Sequence, residues 1–194
     1  MHDIEPYYAW RDLYSAEEDD RSPFYERTYD EFEFHNKIYN YYIHPQWDEF
    51  GSLTLYTKLL WVDYEEGYAI LEFIGEWNDT IYNDIKYLKR EVIDILIKQG
   101  IYRFILICEN VLNFHGSDDC YYEEWFEEVA EEGGWIACLG TLKHVEDEMV
   151  ATQLQFYMKI GGLMNSINWR KFKPIDILQL VETAVYGTRN QIRN

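Results

Sequence analysis

Along the chain the spacing of apolar residues changes several times, and each change marks an element. LTLYTKLLWVDYEEGYAILEFI (53–74) holds two β-rich runs around EEG, where Gly67 can take a positive φ, and predicts a hairpin. NDTIYNDIKYLKREVIDILIKQG (78–100) moves to three- and four-residue steps at Ile81, Ile85, Leu88, Val92 and Ile95. That spacing predicts a helix capped by Asn78 or Asp79 and stopped at Gly100. YRFILIC (102–108) is continuously apolar, as in a central strand covered on both faces. CYYEEWFEEVAEE (120–132) predicts a second helix on Tyr121, Trp125 and Val129, with Tyr122 and Phe126 alongside. WIACLG (135–140) is the next buried strand. LKHVEDEMVATQL (142–154) carries a weaker helical pattern through Leu142, Val145 and Met149, and QFYM (155–158) suits a short last strand. KPIDILQLVETAVYG (173–187) predicts a closing helix with Pro174 in its first turn.

Helices that alternate with short buried strands imply right-handed crossovers and a partly parallel sheet, while the hairpin adds an antiparallel portion. Residues 51–194 therefore read as one α/β domain with a mixed β-sheet and helices. Residues 1–50 differ: they are crowded with Tyr and acid and lack a sustained period, as expected of an N-terminal extension. Within it KIYNYYI (37–43) predicts one short edge strand, ended at His44-Pro45 because proline cannot donate to a ladder. Phe32, Phe34, Ile38, Tyr42 and Trp47 offer more apolar surface than a solvated linker tolerates. The extension is therefore expected to pack on its own domain or to form an interface with a protein partner or a second copy.

Charge narrows the partners. Acidic residues outnumber basic ones 36 to 17, a formal charge of −19, so nucleic acid and anionic membrane surfaces would meet a repulsive field. No apolar run reaches the length needed to span a bilayer, and MHDIEPYYAW lacks the pattern of a secretory signal, so the expected location is the cytoplasm. Cys108, Cys120 and Cys138 form no CxxC pair and are expected as buried thiols.

YAILEFIGEW (68–77) is similar to the second strand and following glycine of the STAS family, the fold of sulfate-transporter cytoplasmic domains and anti-sigma-factor antagonists. RFILICENVLNFHGSDD (103–119) resembles that family's central strand and the loop that carries its Asp-Ser-Ser-Gly type motif, and WIACLG resembles the strand after it. The resemblance is one of element order, from about Leu53 to Gly187. It implies a STAS-like fold and a non-catalytic regulatory module that works through protein contacts. The family's Asp falls on His115, its phosphorylatable Ser on Gly116, its second Ser on Ser117 and its Gly on Asp118. Only Ser117 is kept, so the hydroxyl that would carry a phosphate is missing.

FHGSDD (114–119) has two readings. As a βα turn, Ser117 or Asp118 would accept from the first amides of the next helix. As a ligand site, His115, Ser117, Asp118, Asp119 and Glu123 would converge beyond the carboxyl end of a strand, where open α/β sheets bind ligands. A hydrolase using the histidine and carboxylates of residues 115–124 is the enzymatic alternative. His115, Asp118, Asp119 and Glu123, or His144 and Glu148, could be imagined around a metal, but neither set has a recognised spacing. No GxSxG, HExxH, GxGxxG or Walker-type loop occurs, and the expectation is of a protein without metal or cofactor. Lys86, Lys89 and Arg90 are the densest basic spot, expected as a solvated face paired with nearby acids or as a site for an acidic partner.

Overall fold

The structure is a computed structural model and describes residues 4–30 and 32–191. In chain order its elements are β1 (Lys37–Ile38), β2 (Tyr41–Tyr42), β3 (Leu55–Asp63), β4 (Tyr68–Asn78), α1 (Asp84–Leu88), a π-turn (Lys89–Ile93) and α2 (Asp94–Lys98). After these come β5 (Arg103–His115), α3 (Cys120–Glu131), β6 (Trp135–Leu139), α4 (Lys143–Ala151), α5 (Leu163–Ser166) and α6 (Pro174–Gln191), with 3-10 turns at Leu154–Phe156 and Trp169–Lys171. The expected α/β class is realised as a four-stranded sheet in the order β3-β4-β5-β6. Its first pair is antiparallel, and its other two pairs are parallel.

Alternation along β4 divides the interior. Ala69, Leu71, Phe73 and Trp77 face the core under α1–α4, together with Val92, Leu96, Trp125, Val129 and Met149. Tyr68 and Ile70 face a second core under α6 and the Trp169 turn. The N-terminal extension contributes to both. Ala16, Phe24 and Phe50 join the first core and Trp10 the second, while Ile38, Ile43 and Trp47 form a third cluster with Tyr56 and Ile74. The extension pairs with the β3 edge at one point, a bridge from Asp48 to Thr57 with two backbone hydrogen bonds. Asp48 is fixed there by the Tyr29 hydroxyl at 2.6 Å and by Lys58 at 3.2 Å.

Several expectations are corrected. KIYNYYI is not one edge strand but a two-by-two residue hairpin, β1–β2, reversed at Tyr39, which adopts φ 53°. The long helix begins at Asp84, with Asn83 rather than Asn78 or Asp79 at its cap position, and Ile81 is 71% exposed outside it. Asp79 still serves the helix, because its carboxylate accepts the Ile85 amide at 2.8 Å from the end of β4. The π-turn adds a residue to one turn and rotates the rest of the helix, so Ile93 and Leu96 are buried where the simple period placed Ile95. Tyr122, not Tyr121, joins Trp125 and Val129 on the buried side of α3. QFYM is not a strand: Leu154–Phe156 is a 3-10 turn, and Lys159 makes the isolated parallel bridge to Ala137 on β6. Cys108 and Cys138 are buried, but Cys120 is exposed.

Gly75 shows how tightly this arrangement is set. At φ 123° a Cβ there would lie 2.1 Å from the Thr54 carbonyl oxygen, which accepts the next amide, Glu76 N–H, at 2.9 Å.

Candidate functional site

The structure carries β5 farther than the apolar run foretold, through Phe114 and His115, so FHGSDD is half strand and half loop. His115 ends β5 and turns its Nε2 to Glu76 Oε1 on the neighbouring strand at 2.9 Å. Glu76 also accepts the Tyr39 hydroxyl from the β1–β2 turn. The His115 carbonyl accepts Asp79 N–H at 2.9 Å, and Gly116 accepts the Thr80 hydroxyl at 2.9 Å, which ties the ends of β4 and β5 together. Gly116 packs on the end of α4, where a Cβ would fall 2.6 Å from Thr152 Cγ2. No serine fits at that position without displacing Thr152.

The other predicted ligand residues lie in the loop after β5 and in the first turn of α3. Ser117 is exposed and forms no hydrogen bond from its hydroxyl among the described residues. Asp118 accepts Cys120 N–H at 3.4 Å, a weak cap, and its contacts with Cys120 hold its carboxyl below the usual range. Asp119 accepts the Tyr157 hydroxyl at 2.6 Å, which pushes that phenol up to about 12. Glu123 lies near Tyr157 as a charge and makes no ion pair among the described residues. Asp119 and Glu123 thus both lie by Tyr157, whereas the His115 imidazole is engaged by Glu76. His144, of the second imagined metal pair, is instead turned to the Leu112 carbonyl at 2.7 Å.

The basic spot is also reorganised. Lys89 is not on a solvated face: its side chain is fully buried, with Nζ bonded to Asp94, 2.9 Å from Glu128 and 3.4 Å from Glu124. Those three carboxylates lie close enough to share a metal ion, yet the ammonium of Lys89 already occupies their centre. Burial pulls the Lys89 pKa down, but the hydrogen bonds it donates to Asp94 and Glu128 outweigh that and the net direction is up. Arg90 completes the cluster, giving two hydrogen bonds to Glu124 and one to Asp94.

Two groupings escaped sequence reasoning. At the end of β4 the Asp79 carboxylate accepts Trp77 Nε1, Tyr122 Oη and Ile85 N, and burial raises it to about 6 against those bonds. On the other sheet face Glu72 is 1% exposed and accepts Tyr7 N–H at 2.8 Å. Its second oxygen has no hydrogen bond and stands 3.6 Å from Arg170, which itself binds Glu109. Burial raises Glu72 to about 7; Tyr7 N–H and Arg170 lower it, and Glu109 raises it. The available signal was a single charge inside YAILEFI, a run otherwise apolar.

Beside Glu72 on the same face lies an apolar cleft of about 220 Å³. Ile4, Ile38, Ile74 and Leu112 line it together with Tyr39 and Tyr41, which are 61% and 53% exposed. The arrangement defines a mixed α/β protein with two of its exposed aromatic rings, Tyr39 and Tyr41, at an apolar cleft. No protein-family model matches the chain, and no curated protein matches it. Among solved structures it is similar to a protein of Thermotoga maritima described as a candidate anti-sigma factor antagonist, with 15% identity over 57% of this chain and 87% of that one and a TM-score of 0.38. At that score the likeness carries no inference about activity or partner. Among the described residues no helix is long and apolar enough to cross a membrane.

Proposed function

We propose that the chain is a non-catalytic protein-interaction module with a regulatory role, and that a partner docks at the cleft beside β1–β2. The observation that supports this reading is the cleft itself, an apolar recess with exposed Tyr39 and Tyr41 on its rim. Rings of this kind supply contact area at low entropic cost. The net charge of −19 favours a partner that carries positive charge, through long-range steering. The hydrolase alternative gains nothing from the geometry: Ser117 does not meet His115, whose imidazole faces Glu76, and Glu124 is bound by Arg90.

The test compares the full chain with Leu112→Asp and Tyr41→Ser in affinity capture from cells of the source organism, followed by direct binding to whatever protein is enriched. A partner held by the wild type and weakened at least about tenfold by Leu112→Asp, at unchanged melting temperature, is the expected result. Equal binding by both variants places the partner elsewhere and defeats the reading.

A further inference from the structure

The cleft is a seam between two pieces of the fold. Ile38, Tyr39, Tyr41 and Ile43 line it from the β1–β2 hairpin and the residue after it, while Ile74, Asn110 and Leu112 line it from β4 and β5. The hairpin is a sheet of its own, so no strand pairing spans the seam and side chains hold its two sides together. At the root Ile38 and Ile43 are buried in one apolar cluster with Ile74, and a Cβ at Gly75 would fall 2.8 Å from Ile38 Cδ1. At the tip the Tyr39 hydroxyl donates to Glu76 of β4 and accepts Asn113 Nδ2 of β5 at 3.4 Å. His115 Nε2, 2.9 Å from the other Glu76 oxygen, fixes the direction of that carboxylate.

The turn at the tip is strained. Ile38 pairs with Tyr41, which leaves Tyr39 and Asn40 as a two-residue turn. Tyr39 takes φ 53°, and Asn40 has no positive φ. A tight turn with a positive φ only at its first position ordinarily carries glycine there. For a residue with a Cβ the left-handed region is disfavoured about 5- to 30-fold. The bond from the Tyr39 hydroxyl to a carboxylate opposes that strain, because an ionised acceptor makes a hydrogen bond stronger, although a side chain 61% exposed gives part of the gain back to water. Two opposed terms of similar size are the condition for an element with two positions.

We propose that the hairpin tip, residues 39–42, is a flap over the seam latched by Tyr39: while the hydroxyl holds Glu76 the turn stays strained and the cleft narrow, and release lets the turn relax and the tip swing off β5. The root stays in place through Ile38 and Ile43, so the motion uncovers Asn110 and Leu112 and widens the cleft for a partner's side chain. This rests on the reading of the cleft as the docking site and adds a control of access to it.

Exchange of the Tyr41 amide with water, read by magnetisation transfer in the full chain at one pH, tests the latch without a partner, because Tyr41 closes the turn opposite Ile38. Tyr39→Phe keeps the ring and the strain but loses the latch, so the opening constant should rise roughly 5- to 30-fold. Tyr39→Gly loses latch and strain together and should stay within about threefold of the wild type. Glu76→Ala should loosen the wild type as Tyr39→Phe does and add nothing to Tyr39→Gly. Four results overturn the proposal: Tyr39→Phe exchanging as the wild type does; Tyr39→Gly as loose as Tyr39→Phe; Glu76→Ala loosening Tyr39→Gly as well; or the Ile105 amide of β5 rising in step with Tyr41, which would mean global unfolding. Because the readout needs no partner, a working latch together with binding insensitive to Leu112→Asp defeats only the docking site, and binding lost in Leu112→Asp without a working latch defeats only the latch.

Discussion

Replacing Lys89 by Met leaves a buried side chain of similar length but removes the charge that three carboxylates share. The ammonium is fully buried, whereas Asp94, Glu124 and Glu128 keep 19%, 35% and 41% of their side-chain exposure. At an effective dielectric of about 20, unit charges about 3 Å apart attract by about 5 kcal/mol, and the desolvation of the ammonium offsets much of that gain. Breaking a buried pair costs about 3–5 kcal/mol, and carboxylates partly open to water recover some of it, so the expected loss is about 2–4 kcal/mol at pH 7. Its pH dependence has a definite sign. Burial pushes the Asp94 carboxyl up, but hydrogen bonds from Lys89 and Arg90 outweigh it and hold the group below 3.8. A depressed carboxyl stabilises the fold above its unfolded pKa, and that contribution is lost as pH falls through the folded value. The cost of Lys89→Met should therefore be largest near neutrality and shrink below about pH 4. Urea unfolding of both proteins at pH 7 and pH 3.5 measures it, with the slope against denaturant as the check on a common unfolded state. A cost under about 0.5 kcal/mol at pH 7, or one that grows on acidification, would show that Lys89 does not neutralise this cluster. Adding Asp94→Asn and Glu128→Gln to Lys89→Met should restore part of the loss, since the residual charges are then gone.

Glu72 gives the opposite sign: its carboxyl rises from 4.5 to about 7 in the fold. Its stabilisation is complete below about pH 4.5 and lost as pH climbs to about 7, about 3 kcal/mol in all. Glu72→Gln should flatten melting temperature against pH over that interval, and an unchanged slope refutes the assignment. Gly75→Ala should cost more than about 2 kcal/mol from backbone strain and the Thr54 contact, whereas Gly100→Ala, where a Cβ meets nothing within 4 Å, should cost about 1 kcal/mol. Thermal unfolding of the two variants side by side checks the difference. Ser117→Ala should leave urea stability within about 0.5 kcal/mol, because its hydroxyl caps nothing; a larger loss would mean that the first turn of α3 depends on it.

Hydrophobic spacing alone determined the hairpin β3–β4, the buried strands β5 and β6, and the existence of α3 and α6, because burial of one side imposes a period that the chain must carry locally. The same logic made Gly67 a turn and Pro174 a helix start. It could not locate the π-turn, since an extra residue in one helical turn leaves no mark in the hydrophobic period of so short a segment. Nor could it separate one strand from the hairpin β1–β2: seven residues rich in Tyr and Ile suit either, and Tyr39 takes its positive φ where its hydroxyl reaches Glu76. The loop at residues 115–119 was legible as the end of a strand before a helix, but its use was not. His115, Asp118 and Asp119 are each claimed by a neighbour distant in sequence or by the local turn, and only tertiary contact decides which. Glu72 shows the division most plainly. The sequence marks it as a charge in an apolar run, while its burial, its bond to Tyr7 and its elevated proton affinity exist only because a segment some sixty-five residues earlier folds across it.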